Sequence, residues 1–571
     1  MNAKTLFLFI SLIIFWSCQN DTAKETNDNS ISELNIRLEK EPGLIHPIFA
    51  TSTIGRTVYQ YTFLPLADFH PETLELSPIL IKDIPVAYEH TLEDSRVTVA
   101  YDIEFREDAQ WSDGRPVTAE DYLFTINMIK HPLSKATRWK PYIANIYDIK
   151  ISDTNNRKMT VYCNPDYMLS LEICVTSYIL PKHILDPESL LDNTNIDTDD
   201  TVQVDLMEKI SNTMNQRLDV VQVGPYMITD EATDEYIILT KISDHWGAED
   251  IDNPFLQAYS DKIIMKVVPD EITAITMAKE GLLDIVSLKS SSTFLELRDS
   301  DADKFSFHTP QLMFFYYIAM NNTAPFLQEK TMRRAIAHLI DINDVILTLD
   351  KGLGVRTTGP FHPTKPYYNK SLDEIKYDIK KAGELLDSNG WEDTDGDGIR
   401  DKIIKGIKTP LKLDFYITGS SLSKNIALLF QESAAKGGVQ LNIVSKANSL
   451  MQKENINVKK YDMAALAQGF DASSDDPYSN WHSDNAGIGG TNKTGYSKPK
   501  SDALIEKIRT TRDIEHREEL YMELQQIMYE DQPMIFMYSP LMKFIISNDI
   551  VATTTSKRPG YLANTFKKRK I

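Results

Sequence analysis

Polar and apolar residues alternate from 95 to 105, the two-residue period of a strand that buries one face. Residues 236–242 and 262–268 read as strands too. Elsewhere the period lengthens to that of a helix. Thr118 is followed three residues on by Asp121, a capping box, and Tyr122, Ile126 and Ile129 then share one helical face. Another helix is predicted over 272–280, with Ile272, Ile275 and Ala278 inward and Gly281 just past its end. Met332, Ala335, Ile336 and Leu339 repeat the stripe, as do Ala382, Leu385 and Leu386 before Gly390. Leu520, Leu524, Ile527 and Met528 form the last long one. Such stripes are core. Strands and helices mix without strict alternation or a fixed repeat, which predicts a mixed α/β protein of several lobes.

The first residues follow neither period. Lys4 precedes an apolar run from 6 to 16 broken only by Ser11. As a helix it would reach roughly 16 Å, too short for the ~30 Å hydrocarbon core of a bilayer, and it suits a signal-peptide core. The run ends Phe15-Trp16-Ser17-Cys18. Ser17 and Cys18 resemble a bacterial lipobox, from which the bulky Phe15 and Trp16 depart. That resemblance makes 1–17 a signal peptide and Cys18 a lipid anchor carrying palmitate-type chains. The alternative is an ordinary secretory signal with an incidental cysteine. Residues 18–32, rich in Asn, Asp, Thr and Glu, would be anchor and flexible tether. Two acyl chains suffice for stable anchoring, so the expected place is the cell envelope, membrane-anchored and facing the periplasm or exterior.

Composition narrows the classes further. With 571 residues, 42% hydrophobic and 25% charged, the chain is neither a disulfide scaffold nor a polytopic membrane protein. The length allows roughly three or four domains of ~150 residues. A formal net charge of −21, spread along the chain, repels phosphate backbones, so nucleic acid is not an expected partner. Cys163 and Cys174 either pair in an oxidising envelope or stay as two buried thiols.

Motifs for chemistry are mostly missing. There is no G-x-S-x-G elbow and no H-E-x-x-H, and the histidines lack ligand spacing. Residues 487–494 miss a phosphate loop because Asn492 stands where close backbone approach needs Gly. Asp393, Asp395, Asp397 and Asp401, with Gly398 at the sixth position, offer the hard oxygens and tight turn of a structural Ca²⁺ loop. Position twelve is Ile404, so the bidentate Glu is missing, and the stretch reads equally as a turn between short strands. A carboxylate-pair hydrolase stays open, since many acids permit many pairs.

The run from Phe105 through Trp111-Ser112-Asp113-Gly114 and Pro116 to Asp121 closely resembles the signature of the family 5 extracellular solute-binding proteins. These are the oligopeptide and dipeptide receptors of ABC importers. Physically it is a strand, a Ser-Asp-Gly turn and a capped helix, so its residues are assigned to scaffold. The similarity continues in order through Leu180-Pro-Lys-His183, Val223-Gly-Pro-Tyr226, Asp244-His-Trp-Gly247 and Val268-Pro-Asp270. It goes on through Met320-Asn321, Arg334-Ala335-Ile336 with Ile340-Asp341, Gly390-Trp391, Gly495-Tyr496-Ser497 and Gln532-Pro533.

The resemblance implies a periplasmic-binding-protein-like two-lobed clamp with an extra third domain. Lobe I would take 33–55, 201–304 and 537–571, the extra domain 56–200, and lobe II 305–536. The implied function is a monomeric, non-enzymatic receptor that closes on a peptide and hands it to ABC permease subunits, without a cofactor. A nickel chelate, oligosaccharide or opine is the alternative solute. The implied ligand residues are Phe470, Asp471, Ser473, Asp475, Asn321 and Tyr496. Peptide receptors of the family hold the α-ammonium with the Asp of a W-x-x-D-x-x-D/E-P stretch. Here Phe470 replaces the Trp and Ser473 the Asp. Either Asp471 or Asp475 takes over through a shifted loop, or both are solvated acids and the ligand lacks a free amine.

Overall fold

The computed structural model describes residues 30–50, 52–191, 201–213, 217–218 and 220–570. The signal segment, Cys18 and the chain up to residue 29 lie outside them. The tether expected over 18–32 ends early, because Ile31 already begins the strand Ile31–Leu38. Leu34, Ile36 and Leu38 are buried there, and the strand runs parallel to Ser260–Val267.

Three main sheets organise the described chain. The first has seven strands in the order Phe305–His308, Lys543–Ser547, Ile285–Leu288, Ile31–Leu38, Ser260–Val267, Tyr236–Lys241 and Tyr226–Ala232. The second has six: Gly354–Arg356, Met534–Pro540, Phe314–Met320, Met463–Gly469, Lys412–Ile417 and Gln440–Ser445. The third is a four-stranded antiparallel sheet, Tyr88–Thr91, Val97–Glu104, Asn155–Cys163 and Ile146–Ser152, with helix Ala119–Lys130 packed on it. Several helices are short and leave their stability to packing.

Sheet pairing corrects the expected lobe boundaries. Phe305–His308 pairs with Lys543–Ser547, so residues 305–308 belong with the first sheet. Met534–Pro540 pairs with Phe314–Met320, which assigns 537–540 to the second. The chain therefore crosses at 309–313 and again at 541–542, where the Met542 N–H donates to the Pro310 carbonyl (2.9 Å). Beside this double crossing, buried Lys543 sits 3.6 Å from Asp350, which also accepts from the Tyr538 hydroxyl (2.5 Å). Helix Thr201–Thr213, expected in lobe I, packs instead on helix Lys182–Leu185, with a 3.2 Å bond between His131 and Gln203.

The helix expected over 272–280 forms as Glu271–Lys279, capped by Asp270, but buries Ala274 and Ala278. Ile272 is 75% exposed, a correction that follows from where the alanine face meets strand Ile285–Leu288. The scaffold turn behaves as read. Asp121 accepts from the Thr118 N–H (3.0 Å), the Trp111 indole (3.2 Å) and the Lys182 N–H (3.0 Å). Cys163 and Cys174 are two buried free thiols whose sulfurs lie 3.2 Å apart. Among the described residues no helix is long and apolar enough to cross a membrane.

Candidate functional site

Where the six-stranded lobe, the extra domain and the C-terminal segment meet lies a cavity of about 340 Å³. Helix Thr53–Tyr59 contributes Arg56 and Tyr59, and helix Ser170–Val175 contributes Glu172. Trp139, Tyr142, Phe361, Phe470 and Trp481 supply aromatic wall. Such a mix of rings and a few charged groups suits a polar solute with apolar parts.

All of the loop 470–477 lines this cavity, so the structure brings Phe470, Asp471, Ser473 and Asp475 together there. It also ties the loop down from behind. Lys365, only 3% exposed, donates to the carbonyls of Asp471 (2.6 Å) and Ser473 (2.5 Å), and its ammonium lies 3.5 Å from the Asp475 carboxylate. The Tyr367 hydroxyl donates to the other Asp475 oxygen (2.7 Å), and the Tyr367 ring stacks on Tyr521 at 4.1 Å. Tyr521 in turn donates to the Asp475 carbonyl. Burial pushes the Asp475 carboxyl up, and Lys365 with Tyr367 opposes that rise. Asp476 is held by Arg509 (3.0 Å).

Across the cavity the charges are differently matched. Lys557 pairs with Asp68 (2.9 Å) and donates to the Phe69 carbonyl (2.5 Å). Arg56 touches Asp471 at 3.5 Å, and that carboxylate is 66% exposed. The Arg558 guanidinium stacks 5.3 Å from the Phe314 ring centroid and has no carboxylate partner among the described residues. Gly469 permits this approach, since a Cβ there would sit 3.0 Å from an Arg558 nitrogen. Burial pushes Arg558 below its usual range; Asp471 opposes this and neighbouring Arg56 adds to it. Arg138 rests 5.6 Å from the ring of Trp139, without an ion pair among the described residues. Glu172 also lacks one, and burial pushes its carboxyl up.

Asn321 and Tyr496 do not reach the cavity, a correction to their expected ligand role. The Asn321 amide donates to the carbonyls of Lys459 (3.1 Å) and Tyr461 (2.9 Å), pinning a turn. The Tyr496 hydroxyl donates to Asp531 (2.9 Å), and its ring backs Trp481 edge-on at 6.5 Å. In the acidic turn, oxygens of Asp393, Asp395 and Asp401 lie within 4.8 Å of one another. Asp397 stands outside that group and accepts from the Ile399 N–H (2.8 Å). Lys408 already bridges Asp395 (2.5 Å) and Asp401 (3.1 Å).

A family model described as bacterial extracellular solute-binding proteins, family 5 Middle, matches residues 84–490. The chain belongs to this family. It is 24% identical over 549 residues to the oligopeptide-binding protein AppA of Bacillus subtilis, covering 94% of this chain and 91% of AppA. The solved structure of AppA with a nonapeptide superposes with a TM-score of 0.71 at 19% identity, over 95% of this chain and all of that one. NikZ of Campylobacter jejuni with Ni(L-His) gives 0.70 at 22%, over 94% and 99%. NikA of Brucella suis with Fe(III)-EDTA gives 0.70 at 18%, over 94% and 100%. The fold is thus that of the periplasmic binding proteins.

The family 5 match spans the extra-domain and loop walls of the cavity. It leaves out Arg56, Asp68, Lys557 and Arg558, which lie before residue 84 or after 490. The loop was legible through its resemblance to the W-x-x-D-x-x-D/E-P stretch of the family's peptide receptors, while Lys365, Tyr367, Arg56 and Arg558 were missed. The only local signal at the last was an Arg-Pro step.

Proposed function

We propose that this solute-binding protein is a monomeric lipoprotein, anchored through Cys18, that closes on a peptide and delivers it to an ABC permease. The observation that carries the reading is the placement of the cavity. It is walled by both lobes and the extra domain, beside a paired chain crossing at 309–313 and 541–542. Two adjacent connections let the lobes rotate about one line, so solute contacts made by both walls favour the closed state. AppA, which is similar over nearly the whole chain, is named for oligopeptides. No turnover is needed for this task, and the family's members are receptors rather than enzymes.

One preparation tests anchor and clamp together. Cys18→Ala is expected to move the protein from the membrane to the soluble fraction. Saturating that soluble form with a bound peptide mixture should shorten the particle in small-angle scattering. It should also raise the melting midpoint, by about 2.7 kcal/mol of stabilisation at 100 times Kd. Palmitate labelling that persists in Cys18→Ala removes the anchor. Scattering unchanged by a stabilising solute removes the clamp.

A further inference from the structure

Resting on the solute-receptor reading, we propose that Arg56 and Arg558 form a subsite for an anionic group of the solute, a carboxylate in a peptide. The cleft would then select its ligand by that group rather than by a free amine. The proposal starts from which charges are already spent. On the loop wall, Asp475 is held by Lys365 and Tyr367, Asp476 by Arg509, and position 473 is a neutral serine. Asp471 has only a 3.5 Å contact to Arg56 and is 66% exposed, so water already weakens what it could offer an ammonium. Elsewhere on this wall an ammonium would have to break a pair to gain a counter-charge. Glu172 is the lining acid without an ion pair among the described residues, and burial, opposed by the more distant charge of Arg517, favours its neutral form, which gives an ammonium little.

The opposite wall has the reverse arrangement. Arg558 is fixed in direction by Phe314 and Gly469 yet has no carboxylate partner among the described residues. Among the described residues Arg56 has one ion-pair contact, 3.5 Å to a well-exposed aspartate, an interaction that water weakens; burial opposes its charge, while Tyr178, Asp471 and Asp68 nearby hold it above its usual range. Both guanidiniums line this cavity and the smaller pocket beside it. Arginine stays charged, so an anion, not the loss of a proton, is what can neutralise Arg558. A carboxylate accepts two parallel N–H bonds from a planar guanidinium and can bridge two such forks. Lobe closure strengthens the gain, because the pair is then formed away from water.

Binding of four probes to the full chain separates the possibilities: tri-alanine, N-acetyl-tri-alanine, tri-alanine amide, and tricarballylate, a tricarboxylate without a peptide bond. Calorimetry should show acetylation costing less than about threefold and amidation at least about tenfold. Arg558→Gln should abolish the difference between acid and amide, and Arg558→Lys should restore part of it. Unliganded melting curves check folding, and Arg56→Gln serves as the second variant. Amide binding as tightly as the acid overturns the subsite and leaves the peptide reading standing. Tricarballylate bound through Arg558, with no peptide bound, keeps the subsite and overturns the peptide. Failure of every carboxylate probe to bind wild type overturns the inference.

Discussion

The two walls of the cavity use their charges in opposite ways. On the loop wall, Asp475 and Asp476 each meet a cation from the same lobe, Lys365 or Arg509, and two loop carbonyls end on Lys365. Those two acids have their counter-charges before any solute arrives. On the other, Arg558 lies on a ring with no carboxylate partner among the described residues, and Arg56 has a long contact to an exposed acid. An acid in a binding loop is therefore not by itself a binding acid. What decides is whether the fold has already supplied its counter-charge, since removing one member of a buried pair costs far more than the pair contributes.

The sharpest way to break the comparison is to remove the loop's counter-charge. Lys365→Met leaves the Asp475 carboxylate with Tyr367 alone and strips two carbonyls of their donor. Urea unfolding should show a loss of about 3–5 kcal/mol. Lys365→Met with Asp475→Asn should recover part of it, because the buried charge is gone while the carbonyls still lack a donor. A single-variant loss below about 1 kcal/mol would mean that the loop is not held by Lys365.

A smaller effect comes from His362, which lies behind Phe470 at 6.0 Å between ring centroids. It is fully buried, and burial, with Lys365 second, pushes it down to about 4. The unfolded histidine titrates near 6.5, so acid protonates the unfolded chain first. Its contribution is present above about pH 6.5 and is lost as the pH falls through about 4, at most about 3 kcal/mol. His362→Gln keeps bonding capacity toward Thr364 and Ser539 without the charge. Melting midpoints followed from pH 7 to 4 should fall less steeply in that variant. Equal slopes would show that His362 is accessible to protons in the folded lobe.

Much of this was legible where the determinants are local. The Trp111 turn and the Thr118–Asp121 cap sit within ten residues of each other; the stripe at 332–339 is buried as its period requires, and so is that at 520–528 apart from the half-buried Ile527. The loop 470–477 was found through its resemblance. Its counter-charges were not, because Lys365 is 110 positions from Asp475 in the chain and Arg558 lies beyond the family signature. Lobe boundaries slipped by several residues for a similar reason: residues 305–308 and 537–540 are assigned by strand partners far along the chain. Ile272 failed differently, since an apolar first-turn residue fits the helical period yet points off the buried alanine face.

The smallest prediction carries the same test of spent charge to the acidic turn at 393–401. Three of its four acids converge as a Ca²⁺ loop would have them, but the Lys408 ammonium already bridges Asp395 and Asp401. Asp393 is engaged too, accepting from the N–H groups of Gly396 (2.7 Å) and Gly398 (3.0 Å). We propose that the turn is structural and that its lysine does the neutralising that a Ca²⁺ ion would do. A dication would have to displace a tethered ammonium and desolvate itself without the bidentate Glu that such loops carry at their end. Millimolar Ca²⁺ should then move the melting midpoint of the wild type by less than about 1 °C, since under 0.5 kcal/mol of linkage is on offer. Lys408→Met frees Asp395 and Asp401 at slight cost, as Lys408 is 41% exposed. If the lysine is what closes the site, Ca²⁺ should raise the midpoint of that variant by a few degrees and Mg²⁺ should do less. A Ca²⁺ shift of several degrees in the wild type would show instead that the ion outcompetes the lysine. No shift in either protein would show that three acids without a terminal Glu hold nothing.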